Sequence, residues 1–464
     1  MKTIKLFAWR IYQKQASFKK SFKINLIWIN GFLMISLFSL ALNNWWWFYL
    51  ISLAIIFLLS LWLSAKHTML FVFGLVIFYG AVSIHNYLNF GLLHNKDKIS
   101  SNFTVVDLSS KAIYLQDNLG RKFALWKNNV KIPIFIYQKI YVQGYIYEIK
   151  VEGNYFLANG IYYAIKPSLI KDVENLINFR FHFFKYYSTV DFIYKELILP
   201  LLFGFNLQDQ NQLILNMKQL GVVQLIVVSG LHFTIVYNVF KALFHKVDSC
   251  NIIALILLSL YFFMCKKSVS VFRAYLFILI SEISKQITFL KKKVNSNSSL
   301  TLLSFLFLCY NPTNVLNIGY WLSFLLTYVY LTLNSSSNKD DEKMTLKQKI
   351  KVHFSNCLLI WIYSFVIILT QNSEVSLFSF FYCLILTPVF ELVLIFFTLF
   401  FWANPFCIAV GHSLNNVVSF LTNWNYIIGW NFSYLKLAIY CIMYLFFVWF
   451  NFTKKFKSKQ LKQN

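Results

Sequence analysis

Several polar or small residues lie within a very apolar stretch of this chain, residues 221–238. Among them are Ser229, Gly230 and His232. Ser229 and His232 are three positions apart, so a helix would place both on one face. In a membrane such groups form a polar path, and a hydroxyl beside an imidazole can also be a nucleophile with its base. The alternative is close helix packing with a buried histidine that takes part in no chemistry.

Arg273 is the second residue that indicates chemistry. It lies in the apolar segment Ser268–Tyr275, where a cation is costly unless it is paired or hydrated. The planar guanidinium suits a phosphate group. The alternative is that the side chain reaches the membrane interface near Lys266 and Lys267.

An acidic residue also occurs in a later apolar segment. Glu391 follows Pro388 within residues 376–402, which we expect to form a broken or re-entrant helix with the carboxylate facing a cavity.

The composition is that of a membrane protein. Of 464 residues, 58% are hydrophobic and only 13% are charged, whereas soluble domains carry roughly 25% charged residues. Repeated apolar runs are long enough to cross a bilayer. We therefore predict an α-helical polytopic membrane protein with about ten or eleven transmembrane helices.

The basic residues predict the topology. The net charge is +26, and Lys and Arg are concentrated before residue 24 and after residue 453. Positively charged segments that flank membrane helices stay on the cytoplasmic side. We therefore expect a protein of the plasma membrane with both termini in the cytoplasm. Residues 1–95 then contribute a basic N-terminus with three transmembrane helices, and residues 454–464 a basic tail. Anionic lipids are expected to contact these flanks.

Residues 96–166 differ from their surroundings and predict a small extracytoplasmic β-domain. Charges and glycines interrupt short apolar runs of strand length. The expected strands are Phe103–Leu108, Ala112–Gln116, Arg121–Trp126, Ile134–Tyr137, Ile140–Ile149 and Tyr155–Leu157. Residues 167–220 are expected to form amphipathic helices at the membrane surface, and residues 221–453 the transmembrane core.

Cofactor chemistry finds little support in the sequence. The seven cysteines include no C-x-x-C pair, and the dipeptide Gly-Lys of a nucleotide-binding phosphate loop does not occur. We expect no metal, no cofactor and no ATP hydrolysis by that route.

Three segments resemble motifs of the competence protein ComEC family, whose members are membrane channels for incoming DNA. The first resembles H-L-x-A-(I/V)-S-G-L-H, with Gln224 in place of the first histidine; the matching residues are Leu225, Ser229, Gly230, Leu231 and His232. The second resembles P-S-x-x-R-A through Ser270, Arg273 and Ala274, with Val269 in place of proline. The third resembles D-x-G-F-Q-L-S-F; the matching residues are Gly319, Leu322, Ser323 and Phe324, whereas Asn317 and Trp321 replace the acid and the amide.

The resemblance implies that the chain moves single-stranded DNA into the cytoplasm during natural transformation. It also implies that residues 96–166 form an OB-like domain. Such folds bind single strands through basic grooves and stacked aromatic rings. The candidate DNA contacts there are Arg121, Lys122, Trp126, Lys127 and Lys139. The alternative is a scaffold domain with solvated lysines.

The resemblance further implies particular partners. The sequence has no H-x-H-x-D-H cluster of the nuclease domain that many family members carry. A separate nuclease, and a cytoplasmic helicase or DNA-binding protein, are therefore expected. Two other functions stay open at this point: a transporter of a small anion or lipid, and an intramembrane serine hydrolase that uses Ser229.

Overall fold

The computed structural model describes residues 65–109, 111–130, 132–149, 154–173, 178–206, 211–286, 296–337, 354, 357–362, 364, 374–376 and 378–429. The predicted apolar runs 24–42, 45–64, 353–371 and 434–452, the connector 335–351 and both basic termini lie wholly or largely outside these residues.

An apolar helix leads into the β-domain. Helix α1 covers Ala65–Asn86 and continues as a π-helical turn over Tyr87–Gly91. It confirms the predicted apolar run at 68–90, and it is long and apolar enough to cross a membrane over Val72–Asn89.

The β-domain is a closed five-stranded barrel. Its strands are β1 (Lys98–Leu108), β2 (Ala112–Gln116), β3 (Lys122–Trp126), β4 (Lys139–Glu148) and β5 (Ile161–Asp172). They pair in the order β1-β2-β3-β5-β4, and only β3 and β5 are parallel. Alternate residues such as Phe103, Leu115 and Phe123 fill the interior, because successive side chains of a strand point to opposite faces. The expectation of a small OB-like barrel is confirmed.

The last strand of the barrel differs from the prediction. Residues 134–137 form no strand, Asn154–Ala158 forms the short helix α2, and β5 runs past the predicted boundary at residue 166. Pro167 argues against a strand in the sequence, because proline removes a ladder hydrogen bond. In the structure Pro167 pairs with Gly144, where the register between β4 and β5 shifts. A Cβ at Gly144 would lie 2.3 Å from the carbonyl oxygen of Lys166, so only glycine permits this approach.

The remaining elements are helical, apart from one small sheet. The helices are α3 (Phe179–Val190), α4 (Leu199–Phe203), α5 (Gln212–Gln219), α6 (Gly230–Leu243), α7 (Cys250–Met264), α8 (Val269–Gln286), α9 (Ser296–Tyr310), α10 (Ile318–Ser337), α11 (Ser379–Phe400) and α12 (Asn404–Thr422). The strands β6 (Glu374–Ser376) and β7 (Ile427–Gly429) pair antiparallel.

The segment between the barrel and α6 lies in the core of the helical part. A π-helical turn at Tyr194–Ile198 leads into α4, and all five residues of α4 are buried. Four of them, Leu199, Leu201, Leu202 and Phe203, belong to one hydrophobic cluster with residues of α6, α7, α8, α11 and α12. Helix α4 is therefore apolar and covered rather than amphipathic, whereas the position of residues 167–220 at the membrane surface stays a prediction.

Within the described residues, three helical segments are long and apolar enough to span a membrane: Val72–Asn89, Val223–Leu243 and Ser379–Phe400. The two shorter apolar helices are Cys250–Met264 and Ser299–Tyr310. The total of about ten or eleven spans stays a prediction. Helix α11 is continuous through Pro388, so the expected break at this proline is wrong. Neighbouring helices in a membrane allow a helix to tolerate an interior proline.

Candidate functional site

The stretch 221–238 contains a break between two helical segments, at residues 226–229. A 3-10 turn covers Val223–Leu225, and α6 begins only at Gly230, with Ser229 as its extended N-cap. The prediction that Ser229 and His232 lie together is confirmed, but Ser229 stands outside the helix. Serine is a preferred N-cap because its hydroxyl satisfies an amide of the first turn.

His232 completes this cap and is itself buried, with 2% of its surface exposed. Its Nδ1 lies 3.2 Å from Oγ of Ser229 and accepts from the Ser229 backbone amide at 3.4 Å. Because a backbone amide can only donate, the second contact makes Nδ1 an acceptor and assigns the proton to Nε2. Nε2 is buried and finds no acceptor within the described residues, so no carboxylate there completes a serine–histidine triad.

Arg273 of α8 lies directly over the start of α6. A Cβ at Gly230 would lie 3.0 Å from Nη2 of Arg273, so glycine lets the guanidinium come this close without shifting. Nε of Arg273 donates to Oγ of Ser323 on α10 at 2.5 Å. The three motif segments, about fifty residues apart in sequence, therefore meet at one guanidinium.

The charge of Arg273 is uncompensated in the part of the chain that the structure describes. The side chain is 7% exposed, no carboxylate lies within ion-pair distance, and Nη1 and Nη2 have no hydrogen-bond partner. A buried cation without an anion is costly. The backbone amides of Gly230 and Leu231 also lack acceptors among these residues. Such free amides at a helix N-terminus favour an anion.

Helix α10 presents Ser323 but buries the ring of Tyr320. The Gly319 amide donates to Oδ1 of Asn317 at 2.8 Å, which starts the helix one turn before Ser323. Tyr320 is 1% exposed and bonds to Ser304. The Tyr320 ring is therefore not available to stack on a base.

Glu391 does not join this site. It is half-buried on α11 and has neither a hydrogen bond nor an ion pair with any residue in the described ranges. The polar contact from α11 to the site region is instead Cys383, whose sulfur lies 3.9 Å from Nε2 of Gln224.

The barrel is attached to the loops that precede the two motif helices, which the sequence did not indicate. Before α8, Nζ of Lys266 lies 2.5 Å from Oδ2 of Asp107 on β1. Before α10, Oγ1 of Thr313 donates to the Leu157 carbonyl of α2 at 2.7 Å. The barrel therefore holds the ends of the helices that carry Arg273 and Ser323.

The five predicted barrel contacts have different surroundings, and their contact with DNA stays a prediction. Nε of Arg121 pairs with Asp117 at 2.7 Å within the β2–β3 turn. Lys122 donates to the Asn159 carbonyl at 3.2 Å, and burial lowers its pKa although Asp107 partly offsets this. Trp126 packs edge-on against Phe156. Lys127 is half-buried, and Lys139 is exposed at the start of β4.

The helical part of the chain matches a known family. A family profile described as "Competence protein" covers residues 201–457, more than half of the chain and all three segments that meet at Arg273. An uncharacterised protein of Mycoplasma genitalium is 27% identical over 189 residues, which are 40% of this chain and 47% of that protein. The chain thus spans about half the length of the curated relative that it matches. No solved structure matches. On the extent of the profile match, this chain belongs to the Competence protein family.

Proposed function

We propose that this chain is a membrane conduit through which single-stranded DNA enters the cytoplasm during natural transformation. Family membership supports a role in DNA uptake, and the apolar helices support a place in the membrane. The barrel would lie on the outer side and both termini in the cytoplasm, as the distribution of basic residues predicts.

The observation that carries the proposal is the uncompensated guanidinium of Arg273 beside the free amides at the start of α6. Moving a polyanion through a low-dielectric layer requires positive groups and donors along the path. An arginine and a helix N-terminus bind phosphate without reading the base. These groups can therefore bind a DNA strand of any sequence, and they can release it again as the strand moves on.

The structural neighbours of Arg273 receive supporting roles in this proposal. Ser323 orients the guanidinium, and Gly230 permits its approach. Ser229 and His232 fix the first turn of α6, so that its amides face the path. A separate nuclease would remove the second strand, and a cytoplasmic helicase or DNA-binding protein would supply the force.

The test is uptake of end-labelled DNA, scored as label that resists external nuclease. Cells would carry the wild-type chain, no chain, Arg273→Gln or Lys246→Gln, which removes an exposed charge from the α6–α7 connection. We expect protection to need the chain and Arg273 but not Lys246. Double-stranded DNA labelled first on one strand and then on the other would show whether only one of the two strands enters the cell. Unchanged protection without the chain would overturn the function, and unchanged protection in an inserted Arg273→Gln chain would remove Arg273 from the path.

A transporter of a small anion is the second candidate, because one guanidinium and one helix N-terminus can also hold a single small anion. The two functions differ in their affinity for oligonucleotides. A DNA conduit binds single strands with an affinity that falls as salt rises. A small-anion transporter would show no such affinity, yet would bind inorganic phosphate in an Arg273-dependent way.

A further inference from the structure

A second pair of uncompensated cations lies where the barrel, α3 and the end of α7 meet. Cζ of Arg180 on α3 is 3.4 Å from the centre of the Tyr137 ring and 4.6 Å from that of Phe263. Nζ of Lys267 is 3.6 Å from the Phe262 ring centre and 6.0 Å from that of Phe263. Both cations therefore lie against the aromatic end of α7.

The local fold fixes Arg180 in this position. Asn178 caps α3 by accepting from the Phe181 amide at 3.2 Å, and its side chain also donates to the Tyr137 carbonyl at 2.8 Å. Helix α3 must therefore begin beside Tyr137, whose hydroxyl also bonds to Arg180.

The two charges lack an anion within the described residues. No carboxylate lies within ion-pair distance of Arg180 or Lys267, and Nε of Arg180 is buried without an acceptor. Burial, followed by the nearby charge of Arg180, lowers the pKa of Lys267 to about 8. A bound anion would satisfy the orphan donor and remove this mutual repulsion.

An apolar stripe on α7 ends at the same place. Ile252, Ile256, Leu260 and Phe263 recur at helical spacing, and each is between 49% and 59% exposed. Eleven residues of helix rise about 16 Å. That length matches one leaflet of a hydrocarbon layer about 30 Å thick.

We propose that Arg180, Lys267 and the α7 stripe form a binding site for one anionic phospholipid. Its phosphate would lie between the two cations, and one acyl chain would follow Phe263, Leu260, Ile256 and Ile252. A lipid fits better than DNA, because the cations already cover the ring faces on which bases would stack, and because the adjoining surface is apolar. The proposal is independent of the DNA conduit.

Native mass spectrometry of the full chain in detergent can test the headgroup contact. The probes are phosphatidylglycerol, phosphatidylcholine with the same chains, and glycerol 3-phosphate. We expect the Arg180→Gln/Lys267→Gln variant to bind phosphatidylglycerol about tenfold more weakly, whereas Lys241→Gln/Lys246→Gln binds it as the wild type does. Equal affinity in all three proteins would overturn the proposal. Equal affinity for glycerol 3-phosphate and phosphatidylglycerol would leave a phosphate site without a lipid.

A phosphatidylglycerol with a photoreactive acyl chain tests the second half of the site. We expect crosslinks to peptides of α7, and fewer of them when Leu260 is replaced by serine. Crosslinks confined to other helices would overturn the assignment of the stripe, as would crosslinks to residues 24–64 alone. Loss of oligonucleotide binding with normal lipid binding in the Arg180→Gln/Lys267→Gln variant would assign the cations to DNA instead.

Discussion

Nε of Arg273 donates a hydrogen bond of 2.5 Å to Oγ of Ser323, which joins α8 to α10 across fifty positions of sequence. This bond uses the inner nitrogen of the guanidinium and leaves both terminal nitrogens free of partners among the described residues. Because Nη2 then lies against Gly230, the bond aims the cation at the start of α6.

Ser323→Ala should weaken DNA uptake less than Arg273→Gln does. The alanine removes the hydrogen bond that orients the guanidinium but keeps its charge, so the phosphate contact becomes less well positioned. Ser323→Thr keeps the hydroxyl and should restore most of the uptake. Protected label, normalised to the amount of chain in the membrane, is the measurement. Equal uptake in Ser323→Ala and wild type would contradict an orienting role.

Gly230→Ala should reduce uptake even though alanine favours helices. Its Cβ would lie 3.0 Å from Nη2 of Arg273, so the guanidinium has to shift slightly relative to the α6 amides. Gly80→Ala is the matched control, because a Cβ there meets nothing within 4 Å. The same uptake assay compares the two variants. A similar effect of both would point to a general requirement for glycine rather than to the site.

Ser229→Ala should lower the free energy of unfolding by about 1 kcal/mol, the usual cost of losing an N-cap hydroxyl. Some uptake should remain, because Arg273 stays in place. Thermal unfolding in detergent gives the first quantity and the uptake assay the second. If Ser229 were a nucleophile, the variant would lose all function and the wild type would react with a fluorophosphonate.

The Asp107–Lys266 pair should stabilise the attachment of the barrel to the helices by about 1 kcal/mol. The pair is only partly exposed, at 16% and 35% of the two side chains, but solvent still screens it. Asp107→Asn, Lys266→Gln and the double variant form a double-mutant cycle on unfolding. Additive effects of the two single variants would show that the pair contributes nothing.

Phospholipid binding at Arg180 and Lys267 should weaken as the pH rises from about 7 to about 9. The pKa of Lys267 is about 8. At a pH below this value the amine is protonated and charged, and at a pH above it the amine is neutral and attracts phosphate less. Burial and then the charge of Arg180 lower the pKa of Lys267, and Cys265 raises it. Arg180 itself stays charged, because burial lowers its own pKa only to about 10. Lys267→Arg should flatten the profile, since a guanidinium keeps its proton. An unchanged slope in that variant would exclude Lys267 as the titrating group.

Much of this architecture was readable from local patterns. The barrel strands β1–β4 follow from alternating apolar residues, because a strand with one buried face has apolar side chains at every second position. Helix α1 follows from an uninterrupted apolar run, which is typical of a helix that crosses a membrane. The errors fall where tertiary contacts override local preference. Pro167 argues against the strand β5 that the structure contains. Pro388 predicts a break in α11, but the helix is continuous through this residue.

The candidate site shows the same division. Sequence alone selected Ser229, His232, Arg273 and Ser323, because polar groups in apolar segments are costly enough to demand a reason. It also placed Glu391 with them, although no polar contact joins Glu391 to the site. The meeting of Arg273 with Gly230 and Ser323, and the attachment of the barrel to Lys266 and Thr313, depend on residues far apart in the chain. Only the packing of helices brings such residues together, since periodicity fixes the face that a residue occupies but not the partner that this face meets.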